Sequence, residues 1–159
     1  MVYLKTYFYT PTEINFLNLN LMECYDKVDK FIVCEANIHH TGNRRDFIFE
    51  EYEHLINPLL KDKLIYLKMD IADQAADGDA PEREHLIHNI NEPLMRGHFV
   101  KMMNFSDEDI IISVDADEII YNHCYDEIID EVRRNNVVKV DLNQFFYRFF
   151  QFAQRLFNN

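Results

Sequence analysis

A chain of 159 residues, 48% of them hydrophobic, is long enough for one domain with a hydrophobic core and too short for two. The formal net charge of -12 at pH 7 argues against binding to nucleic acid or to an anionic membrane, since both are themselves negatively charged. With 3 Gly residues, the chain has no Gly-rich phosphate loop. We therefore expect residues 1–159 to form a single domain whose acidic groups bind a divalent cation.

The cysteines and the N-terminus indicate the cellular compartment. Cys24, Cys34 and Cys124 are odd in number and widely spaced, without a C-x-x-C pair or a zinc spacing. This pattern is typical of reduced thiols. The N-terminus has no signal-like apolar segment, and no apolar run reaches the roughly 18 residues that a membrane span needs. The sequence thus predicts a soluble, cytoplasmic protein.

Short apolar runs alternate along the chain with segments of helical period. In chain order they predict strand Val2–Tyr9, helix Ile14–Cys24, strand Val28–Glu35, helix Phe49–Leu60, strand Leu64–Met69, loop Asp70–Ala80, helix Glu82–Asn104, strand Ile110–Val114, helix Tyr125–Arg134 and strand Val137–Leu142. Pro58 should disturb the end of the second helix, and Pro93 should kink the third or start a new one. This alternation predicts an α/β fold with a Rossmann-type, mainly parallel sheet and helices on both faces.

Polar residues follow two of the predicted strands. Glu35-Ala36-Asn37 ends one of them, and Asp115-Ala116-Asp117 ends another. In open parallel sheets, ligands bind at the carboxyl ends of the strands. We therefore expect both segments to lie along the same, ligand-binding edge.

The stretch Asp109–Ile120, DIIISVDADEII, is the most informative in the chain. A β-branched run ends there in Asp115, Asp117 and Glu118. In an extended chain the side chains of residues i and i+2 point the same way, roughly 6.5–7 Å apart. Asp115 and Asp117 can therefore address one metal ion, and oxygen ligands favour Mg or Mn over Zn.

Other interpretations of these acids remain open at this stage. The two aspartates could lie in a solvated turn that caps the helix beginning at Tyr125. An EF-hand is disfavoured because Ile120 stands where the loop needs Gly. A phosphatase-type nucleophile is also disfavoured, because that motif normally ends the first strand.

Basic residues elsewhere supply candidate ligands. Arg44, Arg45 and Arg96 could each meet a phosphate, although each could equally be a surface arginine. The pairs His39-His40 and His85-x-x-His88 are weaker candidates, because adjacent His residues rarely chelate one ion.

The C-terminus is rich in phenylalanine. The aromatic C-terminus, as we call residues 145–157, contains Phe145, Phe146, Phe149, Phe150, Phe152 and Phe157. Exposed rings on this scale would form an apolar patch. This composition predicts either a fold shortened at its C-terminus or a surface for a partner, which includes a second copy of the chain in a homo-oligomer.

Several segments together resemble one known family. The segment Glu23–Asn37 is similar to the V-D-x-F strand of this family, which ends in [DE]-x-N. In the family a Gly and an Arg follow that strand, and here Gly42–Arg45 and then Phe49–Glu51 follow it. Ile110–Ile119 is similar to its apolar run ending in D-[AV]-D-E-I. The family is the β-1,4-mannosyl-glycoprotein N-acetylglucosaminyltransferases, glycosyltransferase family seventeen. The resemblance covers about residues 10–150.

The resemblance implies a GT-A-like fold and a metal-dependent transfer of a sugar, GlcNAc in the best-known members, from a nucleotide-sugar to a glycan hydroxyl. Asp115 and Asp117 would hold Mn or Mg against the diphosphate of a UDP-linked donor. Glu35, Asn37, Arg45 and Arg96 would contact the donor. Glu118 is the nearest carboxylate to serve as catalytic base.

The chain also departs from its relatives. Asn15, Asn18 and Asn20 replace charged residues near the start, where Glu13 matches. Relatives continue past the end of this chain, which predicts a C-terminally shortened member. The sequence is therefore also compatible with two other functions: a non-catalytic domain that binds a nucleotide-sugar or a partner, and another Mg-dependent phosphoryl or nucleotidyl enzyme.

Overall fold

The sheet at the centre of the fold is built from four parallel strands. The computed structural model describes residues 1–71, 90–137 and 139–140, together with the backbone of 146–148 and 151–153. The strands of the sheet are β1 (Val2–Tyr7), β2 (Lys30–Ala36), β3 (Leu64–Met69) and β4 (Ile110–Ser113). They lie in the order β3-β2-β1-β4, and all adjacent pairs are parallel. The predicted Rossmann-type α/β fold is therefore confirmed.

Continuous apolar sequence explains which strands lie in the middle of this sheet. After their first residues, β1 and β2 are buried throughout, as strands covered on both faces should be. Successive side chains of β1 alternate between the faces, so that Leu4 and Phe8 pack on one side and Tyr3 and Tyr7 on the other. Each face is covered by helices.

Four α-helices lie in the described residues: α1 (Ile14–Cys24), α2 (Phe49–Tyr52), α3 (Glu92–His98) and α4 (Tyr125–Asn135). Helices α1 and α4 pack on the face that carries Leu4, where Leu17 and Ile129 are buried. Helix α3 packs on the opposite face through Met95. The prediction of helices on both faces is confirmed.

The long second helix was a wrong prediction. The structure breaks Phe49–Leu60 into α2, a 3-10 turn at Glu53–Leu55 and a 3-10 helix at Pro58–Lys63. The backbone of Asn57 is outside the α-helical region, as the residue before a proline prefers, and its side chain accepts a hydrogen bond from Leu59 N. Asn57 and Pro58 thus begin the second 3-10 helix.

The structure differs from two other predicted elements, a helix and a strand. Of the predicted helix Glu82–Asn104, the described part gives α3, with Pro93 in its first turn, followed by a 3-10 turn at Phe99–Lys101. Residues 72–89, with most of the predicted Asp70–Ala80 loop, lie outside the described residues. The described residues of the predicted strand Val137–Leu142 are not in a strand.

The aromatic C-terminus lies mostly outside the described residues. Its backbone forms an antiparallel ribbon of β5 (Phe146–Arg148) and β6 (Gln151–Ala153). The predicted partner surface and homo-oligomer therefore stay predictions.

The chain reverses its direction of travel across the sheet beside β1. From β1 it moves to β2 and then to the edge strand β3, and it later returns to the other side of β1 as β4. In an open α/β sheet, such a switch point leaves a crevice at the carboxyl ends of the two strands. Here the crevice lies between the ends of β1 and β4.

A charged residue lies in the core beneath this crevice. Lys5 on β1 is fully buried, its ammonium donates to Ser113 Oγ (3.3 Å), and it lies 3.7 Å from the centroid of the Tyr7 ring. Burial lowers the pKa of Lys5 to about 8, with the field of Arg96 adding to that shift and the field of Asp115 opposing it. The sheet therefore holds a cation at a cost in stability.

Replacing this cation tests that cost. We expect Lys5→Met to raise the free energy of unfolding at pH 7 by about 1–2 kcal/mol, because a depressed pKa means that the folded state disfavours the charged form. Between pH 8 and about 10.5 the unfolded wild type keeps a proton that the folded wild type has lost. Wild-type stability therefore rises with pH relative to the variant, and the advantage of Lys5→Met shrinks. Urea unfolding at pH 7 and pH 10 measures both effects.

Lys101→Met is the matched control, because Lys101 is exposed. That change should alter stability by less than about 0.5 kcal/mol at either pH. A Lys5→Met variant that is less stable than wild type at pH 7 would contradict this account of the buried lysine.

Candidate functional site

A pocket of about 350 Å³ opens at the switch point. Residues from β1, the turn after it, α1, the loop after β2, α3 and the loop after β4 line it. They are Tyr7, Tyr9, Thr10, Thr12, Glu13, Phe16, His40, Arg96, Asp115, Ala116 and Asp117. The predicted metal ligands Asp115 and Asp117 therefore share one pocket with the predicted phosphate contact Arg96.

The loop after β4 presents these two aspartates through a turn. Glu118 N donates to the Asp115 carbonyl (3.0 Å), and the Glu118 carboxylate accepts from Asp115 N (2.8 Å). Ala116 is buried, and its carbonyl accepts from Asn20 Nδ2 of α1 (2.9 Å). The segment is thus a closed turn rather than the extended chain that the sequence predicted. Asp115 and Asp117 still line the pocket, and the buried Ala116 between them also packs in the core.

Arg96 lies against Asp115. Its Nη1 is 3.2 Å from Oδ1 of Asp115 and its Nη2 is 3.5 Å from Oδ2, while its Nε donates to Glu92 Oε1 (2.8 Å). The side chains of Arg96 and Asp115 are 43% and 46% exposed. Exposed ion pairs are worth little, so an incoming anion can compete with Asp115 for the guanidinium at small cost.

Glu35 lies outside this pocket, in the protein core. Its side chain is fully buried, and its carboxylate accepts from Arg45 Nη2 (2.9 Å), Ile48 N (2.8 Å), Phe49 N (3.1 Å) and the Tyr66 hydroxyl. These four donors satisfy the carboxylate within the protein. The structure therefore gives Glu35 a role in holding the loop that follows β2.

Arg45 connects the same cluster to the pocket wall. Besides Glu35, its guanidinium donates to the carbonyls of Tyr9 (3.0 Å) and Phe8 (3.4 Å). The guanidinium also lies 5.6 Å from the centroid of the Tyr9 ring. Arg45 does not line the pocket, but it fixes the turn after β1 that does.

Asn37 joins the ends of two strands. Its Nδ2 donates to Asp70, its Oδ1 accepts from Ile71 N (3.0 Å), and its backbone N donates to the Met69 carbonyl (3.2 Å). The pocket lining does not include Asn37. Of the four predicted donor contacts, Arg96 is thus the one that reaches the pocket.

Of the histidines named as weaker ligand candidates, one lines the pocket. His40 lines the pocket and forms a hydrogen bond through Nε2 with the Tyr9 hydroxyl (2.6 Å). His39 does not line it, and His85 and His88 lie outside the described residues. Within the described part of the chain, no three or more His, Cys, Asp or Glu side chains are grouped to hold a metal ion.

Glu13 also lines the pocket, although the sequence predicts no binding role for it. Its Oε2 accepts from Tyr9 N (2.6 Å) and Thr10 N (3.2 Å) at the start of the helical segment that leads into α1. Burial raises the pKa of Glu13, and the charge of Asp117 adds to the rise. The T-x-x-E spacing of Thr10 and Glu13 is a capping-box signal that could have located this carboxylate at a helix start.

The parallel α/β sheet defines a Rossmann-like domain, and an acid-lined pocket lies at its switch point. The sequence model of Glycosyltransferase family 17 matches residues 7–156, and the chain belongs to this family. The protein is therefore a glycosyltransferase. Comparison with curated proteins and with solved structures gave no match. None of the helices in the described ranges is long and apolar enough to cross a membrane.

The buried pair of Glu35 and Arg45 generates a prediction on stability. Glu35→Gln keeps the shape of the side chain but leaves the Arg45 guanidinium, 6% exposed, without its counter-charge. We expect a loss of about 3 kcal/mol in the free energy of unfolding, measured by urea denaturation. Glu51→Gln, the same change at an exposed site, should cost under about 0.5 kcal/mol. Equal, small losses in both variants would contradict the structural role of Glu35.

Proposed function

We propose that this glycosyltransferase is metal-dependent and moves a sugar from a UDP-linked donor to a hydroxyl of a glycan acceptor. One observation carries the proposal: Asp115, Asp117 and Arg96 line the same pocket at the switch point of the sheet. A diphosphate needs positive charge on its oxygens, and this lining offers both a guanidinium and two carboxylates for a bridging cation. The family resemblance adds GlcNAc as the sugar to test first.

The residues of the pocket fit a hard divalent ion. Mg and Mn take oxygen ligands, and Mg in particular is commonly held by one or two carboxylates with substrate phosphates and water. Asp115 and Asp117 supply such a carboxylate pair.

Each group on the pocket wall then has a defined task. A bound ion would act as a Lewis acid that neutralises charge on the departing diphosphate. Arg96, which pairs with Asp115, would hold a phosphate oxygen instead and so free the Asp115 carboxylate to hold the ion. The turn closed by Glu118 keeps Asp115 and Asp117 on the pocket side of the loop.

Glu118 is not the group that we propose as catalytic base. Its carboxylate is bonded to the backbone N of Asp115. It also lines a second pocket of about 280 Å³, which includes Ile112, Ile128 and Lys139 and shares no lining residue with the pocket at the switch point. A base must reach the acceptor hydroxyl, and Glu118 does not line the pocket in which we place the donor.

The metal-binding part of the proposal is tested by calorimetry with UDP and Mn²⁺. We expect wild type to bind UDP with a metal-dependent heat and Asp115→Asn and Asp117→Asn to weaken that binding at least tenfold, or about 1.4 kcal/mol. The change removes one charge and keeps the shape. Asp107→Asn, on an exposed turn, is the matched control and should bind as wild type.

The same variants distinguish catalysis from binding. Wild type should release UDP slowly from UDP-GlcNAc without an acceptor, and Asp117→Asn should abolish that release. If no nucleoside diphosphate gives a metal-dependent heat, the proposed function is wrong. Metal-dependent binding without any turnover would instead identify a domain that binds the donor without transferring it.

Arg96 is tested by comparing ligands with and without phosphate. We expect Arg96→Gln to weaken UDP binding about tenfold, since an arginine–phosphate contact is a charge-assisted pair, and to leave uridine binding unchanged. Arg133→Gln, on the exposed surface of α4, is the control. Equal losses for UDP and uridine would argue against a phosphate contact and for a general loss of pocket structure.

A further inference from the structure

The two sides of the pocket differ in chemistry. The loop after β4 and helix α3 contribute charged groups, Asp115, Asp117 and Arg96. The β1 side, α1 and the loop after β2 contribute aromatic rings, among them Tyr9, Phe16 and His40. A nucleoside diphosphate has the same division, because its flat base lies at one end and its charged phosphates at the other.

The aromatic side is held in place by the protein. The rings of Tyr9 and His40 lie with their centroids 5.1 Å apart and are joined by the hydrogen bond between the Tyr9 hydroxyl and His40 Nε2. Arg45 fixes the Tyr9 carbonyl, and Asn91 Nδ2 donates to the His40 carbonyl (2.9 Å). Phe16 of α1 also lines the pocket, with 42% of its surface exposed. Aromatic faces of this kind stack on a nucleobase.

Glu13 lies between these two sides. It is bonded to the backbone N of Tyr9, on the aromatic side, and it lines the same pocket as Asp117, on the charged side. In a nucleotide, the group between the base and the phosphates is the ribose. The position of Glu13 therefore matches the ribose of a nucleotide whose base stacks on Tyr9 and whose phosphates meet Arg96.

The carboxylate of Glu13 has one oxygen to offer. Oε2 is anchored by the N–H groups of Tyr9 and Thr10, whereas Oε1 accepts no hydrogen bond from the described residues. An ionised carboxylate can only accept, so the matching ligand groups are hydroxyls. In Rossmann-type sites, acidic residues commonly bind ribose hydroxyls in this way.

We propose that Glu13 Oε1 accepts a hydrogen bond from a ribose hydroxyl of the bound nucleotide, and so discriminates against nucleotides that lack that hydroxyl. This inference rests on the proposed function, because it assumes that a nucleoside diphosphate occupies the pocket. It adds a positioning residue and a sugar specificity that Asp115, Asp117 and Arg96 do not provide.

The test compares UDP, 2′-deoxy-UDP and 3′-deoxy-UDP by calorimetry in the presence of Mn²⁺. Wild type should bind at least one deoxy analogue about tenfold more weakly than UDP, because the missing hydroxyl leaves the carboxylate unpaired. In Glu13→Gln the difference should fall to about twofold, since the charge-assisted bond becomes a weaker neutral one. Gln keeps an oxygen that can accept from the N–H groups of Tyr9 and Thr10.

Glu108→Gln, an exposed residue on the turn before β4, is the matched control and should keep the wild-type preference. Equal binding of UDP and both deoxy analogues by wild type overturns the ribose contact and leaves the proposed function standing. A full wild-type preference in Glu13→Gln overturns the assignment to Glu13. No binding of any of the three ligands overturns both proposals. The wild-type comparison needs no substitution, so the inference stays testable even if Glu13→Gln does not fold.

Discussion

The parallel pairing of β1 with β4 is the contact on which the site depends. Val2 pairs with Ile110 and Lys5 with Ser113, so that two segments more than one hundred residues apart end side by side. The chain leaves these two strands in different directions, and the crevice between their ends is the pocket. A one-residue shift in this register would turn alternate side chains to the opposite face and separate Tyr7 from Asp115.

The charges on the pocket wall support the proposed binding of a cation. Glu13, Asp115 and Asp117 place three carboxylates on its wall, against the single guanidinium of Arg96. The buried ammonium of Lys5 lies beneath Tyr7 and supplies further positive charge without touching the ligand space. A diphosphate alone would meet net negative charge here, whereas a diphosphate with a divalent ion would not. The buried lysine therefore offsets part of the carboxylate charge, and the proposed divalent ion would offset the rest.

The sequence predicted the sheet well because its strands are continuous apolar runs, which the burial of β1 and β2 requires. It also located Asp115 and Asp117, since a strand that ends in closely spaced acids is a local signal. It could not predict the partners of Glu35, because the local sequence pattern of an acid at the end of a strand is identical whether the acid faces a ligand or a buried arginine. That distinction depends on where the loop carrying Arg45 folds back, which is a tertiary contact. A similar reason applies to Glu13, which matches the family pattern but has no role predicted from the sequence. Its capping role is local, whereas its place in one pocket with Asp117 depends on the β1–β4 pairing.

The central claim is that a nucleoside diphosphate and a divalent ion occupy the crevice between β1 and β4. A crystal structure of the protein with UDP and Mn²⁺, with anomalous data collected near the manganese edge, measures this most directly. The account predicts an anomalous peak beside Asp115 and Asp117 and within reach of the diphosphate, with the uracil against Tyr9 and His40. UDP bound at another surface, or a manganese peak away from both aspartates, would contradict it.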